Sequence, residues 1–143
     1  MARKSPQVLR MEQRIATEPH TAFKVLRVIW ERQTPWEKYH QQYDPEASGQ
    51  GRGFSPQDTK PANELHDRLE DANWKWQELS SVDVIRCMRL LRKYGRQYLD
   101  AERERREAEQ AASRAFTASA LAQEDARRRK RNLERWGPDA LVD

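Results

Sequence analysis

Apolar residues return at helical spacing in four stretches of the chain, and the segments between them hold residues that start and stop helices. From about Pro19 to Arg32, Ala22, Leu26 and Ile29 recur on one face and Phe23, Val25 and Trp30 widen it. That pattern predicts a helix with a face broad enough to bury. Thr17 stands where a cap belongs, and Pro19 suits a first turn in which no N–H is needed. Thr34-Pro35-Trp36-Glu37 predicts a second start, with Thr at the N-cap, Pro at the first helical position and Glu completing a capping box. That helix should fade near Tyr43. Asp58 is placed to cap a third helix, Thr59 to about Glu70, with Pro61 in its first turn and Ala62, Leu65 and Leu69 facing inward. Ser80-Ser81-Val82-Asp83 reads as another capping box and opens the longest helix. There Val84, Met88, Leu91, Gly95 and Tyr98 step by 4, 3, 4 and 3, with Cys87 and Tyr94 widening the stripe. A glycine on such a seam implies that a backbone or an aromatic ring comes close at that point.

Outside these stretches the pattern thins. Residues 1–14 carry Arg3, Lys4, Arg10 and Arg14 against Glu12, which reads as a mobile basic arm or a weak first helical turn. Residues 45–58 form the longest irregular stretch. Its glycines at alternate positions 49, 51 and 53, followed by Phe54, suggest a tight turn that seats the aromatic ring, with flexible filler as the competing reading. From Ala101 to Asn132 the chain is rich in Ala, Glu, Gln and Arg, with Phe116 and Leu121 as its large apolar residues; propensity favours helix but there is little to pack. Trp136-Gly137-Pro138 should stop it. The expected architecture is all-α: an irregular bundle of four main helices over residues 15–100, a charged helical extension over 101–135, and a flexible tail over 136–143. No repeat at solenoid period is present.

Composition narrows the function classes. Of 143 residues, 36% are apolar and 35% charged, so a core must be modest and confined to the middle of the chain. A balance of 27 basic to 23 acidic residues gives a net charge of +4. The single cysteine, Cys87, permits no internal disulfide and falls on an apolar stripe, where a structural thiol is expected. No apolar run follows the basic start and none approaches a membrane span, so the expectation is a cytoplasmic protein with no membrane partner.

Enzyme constellations are not evident. His20, His40 and His66 fall on different predicted elements without zinc spacing, and no nucleophile lies beside a base, so no catalytic residue, metal or cofactor is assigned. The informative feature is basic. Arg86, Arg89, Lys93 and Arg96 step by 3, 4 and 3 along the longest helix, flanked by Arg92, and no acid lies between residues 84 and 99. Such charges repel one another unless a polyanion lies across them; the competing reading is a solvated face. Arg127-Arg128-Arg129-Lys130-Arg131 circles a helix and could add phosphate affinity without sequence preference, or merely solubilise a tail. Trp74 and Trp76 around Lys75 could stack bases, but aromatics in a small domain are more often packing mass, and Trp30 and Trp36 read as core. The Gly51-Arg52-Gly53-Phe54 loop lacks a P-loop pattern and a preceding strand, which leaves a nucleotide site weakly supported.

The run Arg32-Gln33-Thr34-Pro35-Trp36-Glu37, then Gly51-Arg52-Gly53-Phe54-Ser55-Pro56-Gln57-Asp58, Leu65, Leu79-Ser80, and Leu90-Leu91-Arg92-Lys93-Tyr94-Gly95-Arg96-Gln97-Tyr98-Leu99 resembles a small helical module. That module is appended to helicases and other DNA-metabolism proteins of phages and mobile elements. Gln50 and Ser55 stand where its pattern has Asn. The resemblance spans roughly residues 32–99 and implies an accessory, nucleic-acid-associated role. The sequence thus leads to a non-enzymatic protein that binds nucleic acid, DNA ahead of RNA, through Arg86, Arg89, Arg92, Lys93 and Arg96, helped by Arg52, Arg127, Arg128 and Lys130. The alternative is a helical adaptor, or a phage structural or regulatory subunit, docking a helicase or another protein or self-associating through its long helix.

Overall fold

The computed structural model describes residues 4–46 and 52–136. Gly49 and Gly51 of the glycine stretch, and all of the expected tail beyond Trp136, lie outside them. Within the described residues the protein is all-α: α1 (Pro6–Thr17), α2 (Pro19–Glu31), α3 (Pro35–His40), α4 (Thr59–Asp71), α5 (Ser81–Leu91) and α6 (Gly95–Trp136), with single 3-10 turns at Trp76–Glu78 and Arg92–Tyr94.

The first correction concerns the N-terminus. Where a mobile arm or a weak first helical turn was expected, the described residues from Pro6 to Thr17 form a packed helix. Ser5 caps it by accepting a hydrogen bond from the Val8 N–H, and Pro6 occupies the first turn. Val8, Met11 and Ile15 then lie on one face and are buried. Their spacing of 3 and 4 was present in the sequence, but the surrounding arginines masked it. Lys4 closes the first turns with an ion pair to Glu12.

Helix α2 is the hub, packing against α1, α4 and α5. Ala22, Val25, Leu26 and Ile29 have no exposed surface, and Phe23 almost none. Thr17 does not cap it as expected, since its hydroxyl donates to the Gln13 carbonyl. The capping box at Thr34 forms as read: Thr34 Oγ1 accepts from the Glu37 N–H, and Glu37 Oε1 accepts from the Thr34 N–H. Helix α3 ends at His40 because Gln41 turns into the left-handed region (φ 53°). Trp36 is a further correction: it is 42% exposed and stacks on His40, outside the core.

Helix α4 buries Ala62, Leu65 and Leu69 as expected, together with two polar residues, Asn63 and His66. Ser80 caps α5 through the Asp83 N–H, while the Asp83 carboxylate pairs with Arg68 rather than returning to the cap. The helix expected to run unbroken from Ser81 to Leu99 is interrupted by the 3-10 turn at Arg92–Tyr94. In a 3-10 turn residues three apart eclipse, which keeps Leu91 and Tyr94 on the buried side. Gly95 then meets α1. A methyl group there would stand 3.0 Å from Glu12 Cγ, 3.3 Å from Glu12 N and 3.5 Å from Val8 O, so the close backbone approach inferred from the seam is real.

The chain divides into two compact units, Met1–Glu102 and Arg103–Asp143. The first holds the core described above. The second, by itself, is helix through Trp136 with exposed side chains as far as Arg135, including Phe116, Leu121 and Leu133. Surface ion pairs such as Arg105–Glu109 decorate it. No helix among the described residues is long and apolar enough to cross a membrane.

Candidate functional site

The outward face of α5 is formed by residues that the buried stripe leaves behind. Cys87 and Leu91 point inward, so Val82, Ile85, Arg86 and Arg89 turn the other way, with half-buried Leu90 at the edge, packed in part against the core. With Lys93 they line a shallow open groove of about 650 Å³. A second depression of about 430 Å³, lined by Ala16, Ile85, Met88, Arg89 and Arg92, shares Ile85 and Arg89 with it. The surface is therefore mixed. Val82 is 72% and Ile85 49% exposed, and arginine side chains rim both. The sequence reading found the basic stripe but missed these two apolar residues. The signal was legible in the 3 and 4 spacing of Val82, Ile85 and Arg89.

The predicted cations do not share one environment. Arg86, Arg89, Arg92 and Arg96 are exposed, and none of their side chains makes a hydrogen bond or ion pair with another described residue. Lys93 is different, because it already has an acid beside it. Its Nζ lies 2.6 Å from Asp58 Oδ2, an acid from a separate segment of the chain. Asp58 was expected to cap α4, but its side chain makes no capping bond. Its carboxylate instead accepts from the Tyr94 hydroxyl at 2.7 Å and the Ser55 hydroxyl at 2.9 Å.

What carries Asp58 there is the loop before α4. Gly53 adopts φ +82°, and its N–H and carbonyl both bond the Gln97 amide of α6, at 2.8 and 3.0 Å. Phe54 is thereby buried against the edge of Tyr94, with ring centroids 5.5 Å apart. The tight-turn reading of this loop is correct at Gly53 and Phe54. The same bonds hold Arg52 beside the first turn of α6, where Arg96 also sits.

Burial pushes the Asp58 carboxyl up, but Lys93, Tyr94 and Ser55 together hold it below the ordinary aspartate value. The Tyr94 phenol, buried and donating to that carboxylate, is pushed up to about 12. Because the folded state lowers the Asp58 pKa, its stabilisation is complete at neutral pH and is lost as pH falls below about 4. Thermal melts of the wild type and Asp58→Asn between about pH 5 and pH 2 check this, the variant showing the shallower fall in Tm across that range.

The remaining candidates are scattered. Arg127, Arg128 and Lys130 are exposed in the second unit, and Arg131 reaches Glu124 at 3.3 Å. Trp74 and Trp76 do not form a common platform. Trp76 stacks with Phe23, whereas Trp74 meets the edge of His66 and lies under Arg27, whose Cζ stands 4.6 Å from the ring centroid. Cys87 is fully buried, and burial pushes its thiol well above the ordinary value. No protein-family model, curated protein or solved structure matches this chain.

Proposed function

We propose that this chain is a non-enzymatic accessory protein that holds nucleic acid by its phosphates along the outer face of α5 and the start of α6. The observation that supports this reading is the run of exposed arginines, Arg86, Arg89, Arg92 and Arg96, with no acid against any of them among the described residues. Unpartnered guanidinium groups along successive turns raise the local anion concentration and match phosphate oxygens in a fork geometry. Lys93 lies outside the contact set, since Asp58 holds it. The module similarity over residues 32–99 favours DNA, in the metabolism of a phage or mobile element, with a helicase as a natural associate.

Contacts to phosphate release counterions, so about four such contacts should lower affinity roughly a hundredfold between 50 and 200 mM salt. Sequence preference should be weak, because phosphates carry no base identity. Fluorescence polarisation with single- and double-stranded oligonucleotides at the two salt concentrations measures both. Exchanging Arg86 and Arg89 together for Glu should remove binding with Tm unchanged, as both side chains are solvent-facing. A double variant that binds DNA like the wild type overturns the proposal.

Val82 and Ile85 support a second reading. Phosphate chains gain little from exposed aliphatic side chains, whereas an acidic protein surface with an apolar centre would use both the groove and its arginine rim. Sedimentation separates the two: a stable complex or oligomer with no affinity for oligonucleotides favours the adaptor.

A further inference from the structure

The imidazole of His66 is a buried polar group without a partner. It has no exposed surface, and neither Nδ1 nor Nε2 finds a hydrogen bond among the described residues. Buried polar atoms in folded proteins are nearly always satisfied, and each orphan calls for a physical explanation. Here the ring is also tightly oriented. Trp30 stacks on it with centroids 3.8 Å apart and planes 5° from parallel, and Trp74 closes on its edge at 5.2 Å.

Two acids stand at the same place. One ring nitrogen of His66, one carboxylate oxygen of Asp67 and one of Glu70 all lie within 4.8 Å of one another. His66 and Glu70 are four residues apart on α4, the spacing that brings helix side chains onto one face. The Asp67 carboxylate is steadied by Gln41, whose Nε2 donates to Oδ2 at 2.8 Å and leaves Oδ1 available.

From these observations we infer that His66, Asp67 and Glu70 form a binding site for a divalent transition-metal ion of the zinc class. An aromatic-clamped imidazole with two carboxylates is a mixed nitrogen–oxygen donor set, which suits zinc, cobalt, nickel or manganese better than a hard, all-oxygen ion such as calcium. Three protein ligands leave further positions for water. Donor atoms around an ion at roughly 2.1 Å stand about 3–4 Å apart, so the carboxylates must close in slightly. Glu70 is exposed and Asp67 is held on one oxygen by Gln41, so Glu70 makes most of that movement while the imidazole stays fixed. Burial lowers the His66 pKa against the opposing pull of Glu70, Asp67 and Glu31, and Arg27 acts with burial.

The test uses the full chain and zinc chloride in calorimetry, with nickel chloride followed by tryptophan fluorescence. Trp30 and Trp74 lie against the ligating ring, so nickel bound there quenches them. The expected result is one equivalent of zinc, a Tm rise of about 5 °C or more at a hundredfold excess over Kd, and saturable quenching by nickel. Glu70→Gln and Asp67→Asn change exposed side chains and preserve the fold; each should weaken zinc binding at least tenfold. His20→Ala and His40→Ala remove surface imidazoles and should bind as the wild type does. The inference is overturned by absence of zinc binding at about 100 μM, a Kd at which such a site would be without physiological occupancy. It is equally overturned by binding that survives both carboxamide variants, or by binding that disappears with His20 or His40. None of these outcomes bears on the arginine face of α5, which the oligonucleotide titration tests separately.

Discussion

Replacing Asn63 with alanine should lower the stability of the first unit by about 3 kcal/mol, among the larger effects available from one polar residue. Asn63 is 1% exposed, yet every bonding capacity of its amide is used. Its Oδ1 accepts from the Trp30 indole N–H at 2.9 Å and from Gln33 Nε2 at 3.3 Å. Its Nδ2 donates to Gln33 Oε1 at 3.1 Å and to the Thr59 carbonyl at 2.7 Å. Alanine leaves the indole N–H and Gln33 Oε1 desolvated and unpaired, and adds a small cavity. Each stranded group costs about 1–3 kcal/mol, whereas the net worth of a typical hydrogen bond is only about 1. For a unit near 100 residues the loss corresponds to a fall in Tm of more than about 10 °C by circular dichroism. The double variant with Trp30→Phe should be less destabilised than the sum of the two single changes, because phenylalanine removes the stranded donor. A fall below about 1 kcal/mol would mean that water reaches the network.

The second large effect is expected at Phe54. Its ring is 2% exposed and lies edge-on to Tyr94, so Phe54→Ala should cost about 3–5 kcal/mol through lost burial and an unfilled cavity. Urea unfolding should show a lower midpoint with the slope unchanged. A shift in another property should accompany it. Phe54 holds the loop that presents Asp58 to Lys93, so its removal loosens the acid from the basic face. If phosphates bind there, the variant should retain or gain nucleic-acid affinity while losing stability. A variant with stability within about 1 kcal/mol of the wild type would show that the loop is held by its polar bonds to Gln97, Tyr94 and Lys93.

Features governed by local rules were legible in the sequence. Pro and Glu after Thr34, Leu65 and Leu69 four apart, and a glycine on a helical seam each state a local requirement, and the structure meets each one. What was not legible depends on partners distant along the chain. Asp58 precedes a helix and looks like a cap, but Tyr94 and Lys93 outbid that role from more than thirty residues away. The N-terminal helix was concealed because four basic residues suggested solvent, although Val8, Met11 and Ile15 already marked a face. His66 carried no signal at all as a lone histidine. Only the arrival of Trp30 and Trp74 makes its orientation and its lack of partners visible. For the candidate interface, the arginine positions came from periodicity, while the neutralisation of Lys93 required the fold.

The burial of the sole cysteine makes the molecule its own reporter. Cys87 lies on the buried face of α5 with no accessible surface, so a thiol reagent reaches it only when the bundle opens. At low reagent concentration the labelling rate follows the fraction of molecules open at any instant, and at high concentration it approaches the rate of opening itself. A single unmodified chain can therefore register how often its interior meets solvent, without an introduced dye or a second thiol to confuse the count.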